Sequence, residues 1–245
     1  MTAGAEPPSP DRPTLVVVAD QDEVSDLVPA GTRPIWRVPA SGSNEQMAWQ
    51  FGDLVVVVTG SGGPAISAVT ARFLMRPPDG LPFAQVVNFG SCGRYGWSDA
   101  TAIEGAYFVS ESRQWDLFFN YRGWEYANAP LELAAPSAWP GAAITCFSGG
   151  RYSTPHDRHW PVWLTGDVEE YELYSVAWLC AQLDVPLAGL KFVTNSPDAY
   201  ATSEKGKHLV AARRAGTDLL CSFLAGDCGE IASPPVNTAV AAPDG

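Results

Sequence analysis

The sequence predicts an α/β protein: a single domain whose central twisted sheet, mostly parallel or mixed, is flanked by helices. Short runs of β-branched residues alternate along the chain with longer amphipathic segments, as in sheets that are covered on both faces. The chain has 245 residues, 46% of them hydrophobic, which suffices for one substantial core. We expect the domain to span residues 14–227, between Pro-, Ala- and Ser-rich tails at 1–13 and 228–245 that we expect to be disordered.

Five segments have the nearly continuous apolar composition of buried strands. They are Thr14–Ala19, Leu54–Thr59, Gln85–Phe89, Ala142–Phe147 and Leu190–Thr194. Three further segments carry apolar residues at helical spacing, namely Ala65–Met75, Glu169–Leu183 and Ser203–Leu224. Because strands alternate with helices, the connections predict a largely parallel arrangement.

Candidate functional side chains follow these strands. They are Glu23, Ser61, Ser91, Tyr152 and Asn195. Ligands of open α/β sheets bind beyond the carboxyl ends of the strands. We therefore expect a binding site at that edge of the sheet.

The charge and cysteine content exclude several classes of protein. The formal net charge is −12 and Lys and Arg do not cluster, which argues against a nucleic-acid or anionic-membrane partner. The sequence shows no signal-peptide pattern and no apolar run of membrane-spanning length. The five cysteines lack paired spacing and so favour reduced thiols. We expect a cytoplasmic protein.

The turn Gly60–Gly63 follows a predicted strand and opens a predicted helix. It would either hold an anion at the helix N-terminus or serve as a simple tight turn, and the two readings are about equally supported. It also resembles half of a dinucleotide-binding fingerprint. That fingerprint requires an acidic residue near the end of the next strand, where this chain has Val87–Gly90, so the dinucleotide reading fails.

A second glycine-flanked turn, Gly90–Gly93, offers backbone N–H groups and the Ser91 hydroxyl. Cys92 is a poor candidate nucleophile because neither neighbouring segment contains a histidine. His156 and His159 lie in a Pro-flanked loop without further recognisable zinc ligands, so we interpret them as solvated.

Two acidic groups lie where strands meet helices. Asp20 and Asp22 are explained by charge complementarity to a helix N-terminus, whereas Glu23 is also suited to act as a general base toward water. Glu169, Glu170 and Glu172 occupy a predicted first helical turn, where acids are usually structural. The rest of that helix is apolar, however, so these acids would face the interior at the sheet edge.

Together these segments resemble the nucleoside phosphorylase superfamily and, within it, the 5′-methylthioadenosine/S-adenosylhomocysteine nucleosidases, over most of residues 14–224. Thr14–Val24 resembles the first strand and Glu-rich turn of that family, which implies that Glu23 activates water. Gly60–Gly63, with Ser61, is similar to the family's Ser-Gly-Ile-Gly turn. Asn88–Gly93 is similar to its Asn-Thr-Gly-Ser-Ala-Gly turn, which implies that Ser91 and Gly93 lie near the ribose and the attacking water.

The remaining motifs follow in the family's order. Ser148–Tyr152 resembles Ser-Gly-Asp-x-Phe, which implies that Tyr152 stacks on the base with Ser153 beside it. Glu170–Glu172 resembles Glu-Met-Glu, so Glu172 would hold the ribose 2′- and 3′-hydroxyls, with Tyr171 in the methionine's place. Lys191–Asn195 resembles the Arg-x-x-Ser-Asp strand end and places Thr194 and Asn195 at the base. The segment 107–130 is similar to one that forms the family's homodimer.

One departure affects the expected substrate. The family's base-protonating aspartate is replaced by Asn195, and an amide is not a general acid. An asparagine can hydrogen-bond N7 and an exocyclic oxygen, as in 6-oxopurine phosphorylases and futalosine hydrolases. The substitution favours a 6-oxopurine or a specialised nucleoside, with Asp198 as a candidate replacement acid.

The resemblance implies hydrolysis of an N-ribosidic bond, with a nucleoside and water as substrates and no metal or other cofactor. Two alternatives stay open. A phosphorylase would use phosphate, and Arg94 and Arg151 lie beside the expected pocket turns. A nucleoside-binding protein with impaired catalysis would account for Gly150, Tyr171 and Asn195 at positions where the family has other residues.

Overall fold

The computed structural model describes residues 12–39, 45–94, 105–114, 130–150, 167–195 and 201–229. The strands in these residues are β1 Thr14–Val18, β2 Trp36–Val38, β3 Gln46–Phe51, β4 Leu54–Val58, β5 Gln85–Arg94, β6 Ala106–Gln114, β7 Leu131–Glu132, β8 Ile144–Ser148, β9 Val168–Glu170 and β10 Leu187–Asn195. The helices are α1 Gly63–Met75, α2 Leu173–Leu183 and α3 Ala201–Leu224, and a 3-10 turn spans Gln21–Val24.

The strands form one mixed sheet in which part of the pairing closes on itself. β1 lies between β4 and β5 and is parallel to both, while β3 and β2 extend this side in antiparallel fashion. On the other side β5 pairs with β10, β10 with β6, β6 with β8, β8 with β9, and β9 returns to β5. These five strands therefore make a small closed ring, and β1 to β4 form an open wing attached to β5.

The core lies on both faces of the sheet, as the apolar strand composition predicts. In β1, Leu15 and Val17 belong to the cluster that includes residues of α1 and α2. Val16 and Val18 belong to the opposite cluster, which includes residues of α3. Because successive side chains of a strand point to opposite faces, this alternation shows that β1 is covered on each side.

All five predicted strands and all three predicted helices are present, but three boundaries differ from prediction by three residues or more. β10 begins at Leu187, three residues before the predicted Leu190. β5 does not end at Phe89; it continues to Arg94, because Gly90–Gly93 pairs with β10 instead of forming a free turn. The predicted start of a helix at Glu169 is also wrong. Glu169 lies in strand β9, between Gly93 of β5 and Phe147 of β8, and helix α2 begins at Leu173.

The packed structure extends to Cys228, the first residue of the predicted C-terminal tail. This side chain is buried, and its carbonyl oxygen accepts a hydrogen bond from Ala138 N. All five cysteines are free thiols. Within the described ranges, no helix combines the length and apolarity needed to span a bilayer.

Candidate functional site

A cavity of about 110 Å³ lies at the carboxyl ends of β1, β5 and β10. It is lined by Ala19, Asp20, Glu23, Ser61, Ser91, Cys92, Gly93, Glu169, Glu170, Tyr171, Glu172 and Asn195. Among the described residues, this lining contains five acidic side chains and no lysine or arginine. The lining is therefore rich in hydrogen-bond acceptors and lacks the cationic side chains that an anionic ligand needs.

Glu23 reaches the cavity from the 3-10 turn that follows β1. Asp20 caps this turn, since its Oδ1 accepts a hydrogen bond of 3.0 Å from Asp22 N. Glu23 is 3% exposed, and its Oε1 accepts hydrogen bonds from Ser91 N, at 2.9 Å, and from Ser91 Oγ. A β-carbon at Gly90 would come within 3.1 Å of Glu23 Oε2. The carboxylate is thus held directly against β5, at a place where the strand carries no side chain.

Arg213 of α3 holds the same turn from outside. Its Nε donates to Asp26 Oδ2 at 2.7 Å, and its Nη1 donates to Asp22 O at 2.8 Å. The arginine therefore connects α3 to the segment that carries Glu23. Sequence analysis missed this contact because the partners are separated by nearly the whole chain and surface arginines are common.

Glu172 lies between α1 and α2 and is 6% exposed. Its Oε1 accepts a hydrogen bond of 2.7 Å from Gly62 N, and its Oε2 accepts one of 3.3 Å from Tyr171 N. Gly62 has φ 96°, a left-handed conformation that favours glycine. The turn that sequence analysis interpreted as an anion site or a tight turn thus donates an N–H group to a carboxylate of the protein itself.

The pKa of Glu172 is raised from 4.5 to about 8. Burial is the main cause, and the negative charge of Glu170 adds to it; Lys191 and the Gly62 N–H group oppose the shift. This pKa favours the protonated form of the carboxyl group at neutral pH.

Glu170 and Lys191 form a buried ion pair behind the cavity. Lys191 Nζ donates to Glu170 Oε2 at 2.9 Å, and the two side chains are each 2% exposed. Burial alone would raise the pKa of Glu170, but the charge of Lys191 and several hydrogen bonds keep it below its usual value. The same carboxylate accepts hydrogen bonds from Glu172 N and Leu173 N, at the start of α2. Glu170 thereby fixes the backbone that presents Glu172.

Asn195 closes the cavity at the end of β10. Thr194 Oγ1 donates to Asn195 Oδ1 at 2.8 Å, so the carbonyl side of the amide is already engaged. The amide nitrogen packs against Gly93, where a β-carbon would lie 3.0 Å from Asn195 Nδ2. A glycine at position 93 therefore allows the amide to approach β5 closely.

The structure brings most of the predicted site residues together. Glu23, Ser61, Ser91, Gly93, Tyr171, Glu172 and Asn195 line the cavity. Thr194 does not; it is buried behind Asn195 and orients it. Tyr152, Ser153, Arg151, His156, His159 and Asp198 lie outside the described residues.

Three features of the site correct or extend the sequence analysis. Ser91 contacts Glu23 directly, a pairing that the sequence did not reveal. Cys92 is buried, and burial raises the pKa of its thiol, which disfavours a thiolate nucleophile. In the part of the chain that the structure describes, no group of three or more His, Cys, Asp or Glu side chains is arranged to hold a metal ion.

Comparisons with protein-family models and with curated sequences give no match, but the fold has clear counterparts among solved structures. The chain is similar to the 5′-methylthioadenosine/S-adenosylhomocysteine nucleosidase of Helicobacter pylori, with a TM-score of 0.67 and 14% identity over 88% of this chain and 98% of that one. Futalosine hydrolase of H. pylori gives a TM-score of 0.66 and 15% identity over 88% and 98%. The nucleosidase of Colwellia psychrerythraea, solved with adenine, gives a TM-score of 0.66 and 18% identity, covering 91% of this chain and 98% of that one. The chain therefore has the nucleoside phosphorylase-like fold that its sequence predicts.

Proposed function

We propose that this protein is a purine nucleosidase, which hydrolyses the N-glycosidic bond of a 6-oxopurine or specialised nucleoside to the free base and the ribose moiety. The observation that carries the proposal is the pair of buried carboxyl groups, Glu23 and Glu172, held at the strand ends on either side of one acidic cavity. Two of the similar solved structures are nucleosidases, which supports the assignment.

Glu172 is the group that binds the ribose. Its carboxyl oxygens face the cavity from the N-terminal ends of α1 and α2, and hydrogen bonds from Gly62 and Tyr171 fix its position. The 2′- and 3′-hydroxyls of a ribose would donate to this carboxyl group. Hydrogen bonds to an ionised acceptor are about twice as strong as neutral ones, so the contact favours the ionised form of Glu172.

Glu23 is the general base. Two hydrogen bonds from Ser91 hold one of its oxygens, so the carboxylate has a fixed orientation toward the cavity. It would accept a proton from the attacking water as the C1′–N bond breaks. Such proton transfer contributes roughly 10²- to 10⁴-fold to a rate. The Glu172 carboxylate, ionised on contact with the ribose, would also stabilise the positive charge that develops at C1′.

Asn195 recognises the base. The Thr194 hydroxyl fixes the orientation of the amide, and the amide N–H group would donate to a base acceptor such as N7 or an exocyclic oxygen. We include in the proposal that Tyr152 stacks on the base with Ser153 beside it. Ser61, Ser91, Gly93 and Tyr171 would contact the sugar side of the ligand.

The lining of the cavity, in the part of the chain that the structure describes, favours water over phosphate as the second substrate. A phosphate group needs cationic side chains or several N–H donors, whereas the described lining supplies five acids and no basic residue. The Gly62 N–H group that would suit an anion is already engaged by Glu172.

A homodimer in the cytoplasm, as the family resemblance implies, completes the proposal.

The test is base release from a panel of nucleosides, followed by chromatography with and without phosphate. The panel contains adenosine, inosine, 5′-methylthioadenosine, S-adenosylhomocysteine and futalosine. We expect release without phosphate, at a rate that added phosphate does not raise. Release only with phosphate would make the protein a phosphorylase, and binding without release would make it a binding protein.

A further inference from the structure

We propose that Glu169 is a second catalytic residue, the acid that protonates the departing base. This inference rests on the proposed function and deepens it. Release of a purine without a proton leaves a poorly stabilised anion, and Asn195 can hydrogen-bond the base but cannot supply that proton. A carboxyl group next to Asn195 would supply that proton.

Glu169 occupies that position. It is 2% exposed and lines the cavity. Strand β9 places it opposite Gly93 of β5. A β-carbon at Gly93 would lie 3.0 Å from Asn195 Nδ2 and 3.7 Å from Glu169 Cγ, so the two side chains flank the same glycine. A base held by the Asn195 amide would thus meet Glu169 beside it.

Each of the other three glutamates of the cavity has a contact that places it in a different part of the site. Glu23 is bound to Ser91, and Glu172 is bound to Gly62. Glu170 is ion-paired with Lys191. Glu169 and Glu170 are neighbours in a strand, so their side chains leave it in opposite directions. Glu169 therefore lies on the face of β9 opposite to the Glu170–Lys191 pair and next to Asn195 across Gly93.

The proposed step balances in protons and electrons. The C1′–N bond breaks, and its electron pair passes to the base, which takes the proton of the Glu169 carboxyl group. Water adds to C1′ and gives a proton to Glu23. The net reaction is hydrolysis, and transfer of one proton from Glu23 to Glu169 through solvent restores the enzyme.

The test compares two leaving groups in the Glu169→Gln variant of the full chain. One substrate is the nucleoside that the wild type hydrolyses fastest, and the other is p-nitrophenyl β-D-riboside, whose phenolate leaves without protonation. We expect kcat/KM for the nucleoside to fall about 10²- to 10⁴-fold, while kcat/KM for the nitrophenyl riboside changes less than about tenfold. Glu132→Gln, the same replacement at an exposed strand position, should change neither.

The nitrophenyl substrate also reports folding of the variant, and the wild type supplies a second measurement. In the wild type, the ratio of kcat/KM for the nucleoside to that for the nitrophenyl riboside should fall at high pH, as the acid loses its proton. Equal losses on both substrates in the variant, no loss on either, or a ratio independent of pH would overturn the role of Glu169 and leave nucleoside hydrolysis intact. A wild type that hydrolyses neither substrate would overturn the proposed function together with this inference.

Discussion

The protonated state of Glu172 predicts an unusual dependence of stability on pH. The folded protein holds this proton until about pH 8, whereas the unfolded chain releases it near the ordinary value of 4.5. Between these values the folded state binds more protons than the unfolded state. The contribution of Glu172 to the free energy of unfolding is therefore complete below pH 4.5 and declines as the pH rises toward 8.

The magnitude follows from the two pKa values. One proton bound differentially changes the free energy of unfolding by about 1.4 kcal/mol per pH unit, so the displacement from 4.5 to about 8 corresponds to at most about 5 kcal/mol. Glu172→Gln removes the titrating group but retains an oxygen that can accept the Gly62 N–H group. Between pH 5.5 and 7.5 the wild type should lose about 3 kcal/mol relative to this variant.

Urea denaturation measures this difference directly. The nine tryptophans provide a fluorescence signal, and curves at pH 5.5, 6.5 and 7.5 give the free energy of unfolding of each protein, with equal m-values as a check. Glu132→Gln is the matched control and should follow the wild type. A difference between wild type and Glu172→Gln that stays constant with pH, or grows as the pH rises, would refute the reasoning.

Two further predictions concern the packing behind the cavity. Lys191→Met leaves the Glu170 carboxylate buried without its cation, so urea denaturation should show that the free energy of unfolding falls by about 3–5 kcal/mol. Adding Glu170→Gln to the same chain should recover most of that loss. If the losses of the two substitutions were additive, the pairing would be contradicted. Gly63→Ala would place a β-carbon 2.3 Å from Ser175 Oγ and should lower the free energy of unfolding by about 1–3 kcal/mol. Ser175→Ala removes that oxygen and should restore most of the lost free energy of unfolding, which a double-mutant cycle would detect. If Gly63→Ala were equally destabilising in the Ser175→Ala background, another contact would be responsible.

The sequence predicts well those elements whose secondary structure is determined by their own local composition. β1 and β4 are uninterrupted apolar runs, and such runs form strands buried on both faces. The end of each apolar run in turn predicts where the following turn begins. For that reason the sequence alone places Glu23 and Ser61 at the sheet edge.

The elements that escaped prediction are decided by partners distant in sequence. Val168–Glu170 has the composition of a first helical turn, yet pairing with β5 and β8 makes it a strand. This changes the chemistry of the site, because adjacent residues of a strand face opposite sides. Glu169 and Glu170 consequently have different surroundings, which their sequence positions alone did not separate.

Lys191 shows that the sequence can indicate a buried ion pair without identifying both of its members. A lysine within the apolar run of β10 predicts a buried cation and hence a buried anion beside it. Several acids of the chain were available as that anion. The closed ring of strands brings Glu170 to Lys191, and closure of this kind cannot be read from local composition.

The most direct test of the account is the rate of base release by Glu23→Gln without phosphate, measured together with nucleoside binding by calorimetry. The glutamine retains an oxygen that can accept the Ser91 hydrogen bonds but cannot take a proton from water. We predict that base release falls at least about 100-fold while the dissociation constant changes only a few-fold. A variant that releases base at a rate near that of the wild type would contradict the assignment of Glu23 as the water-activating base.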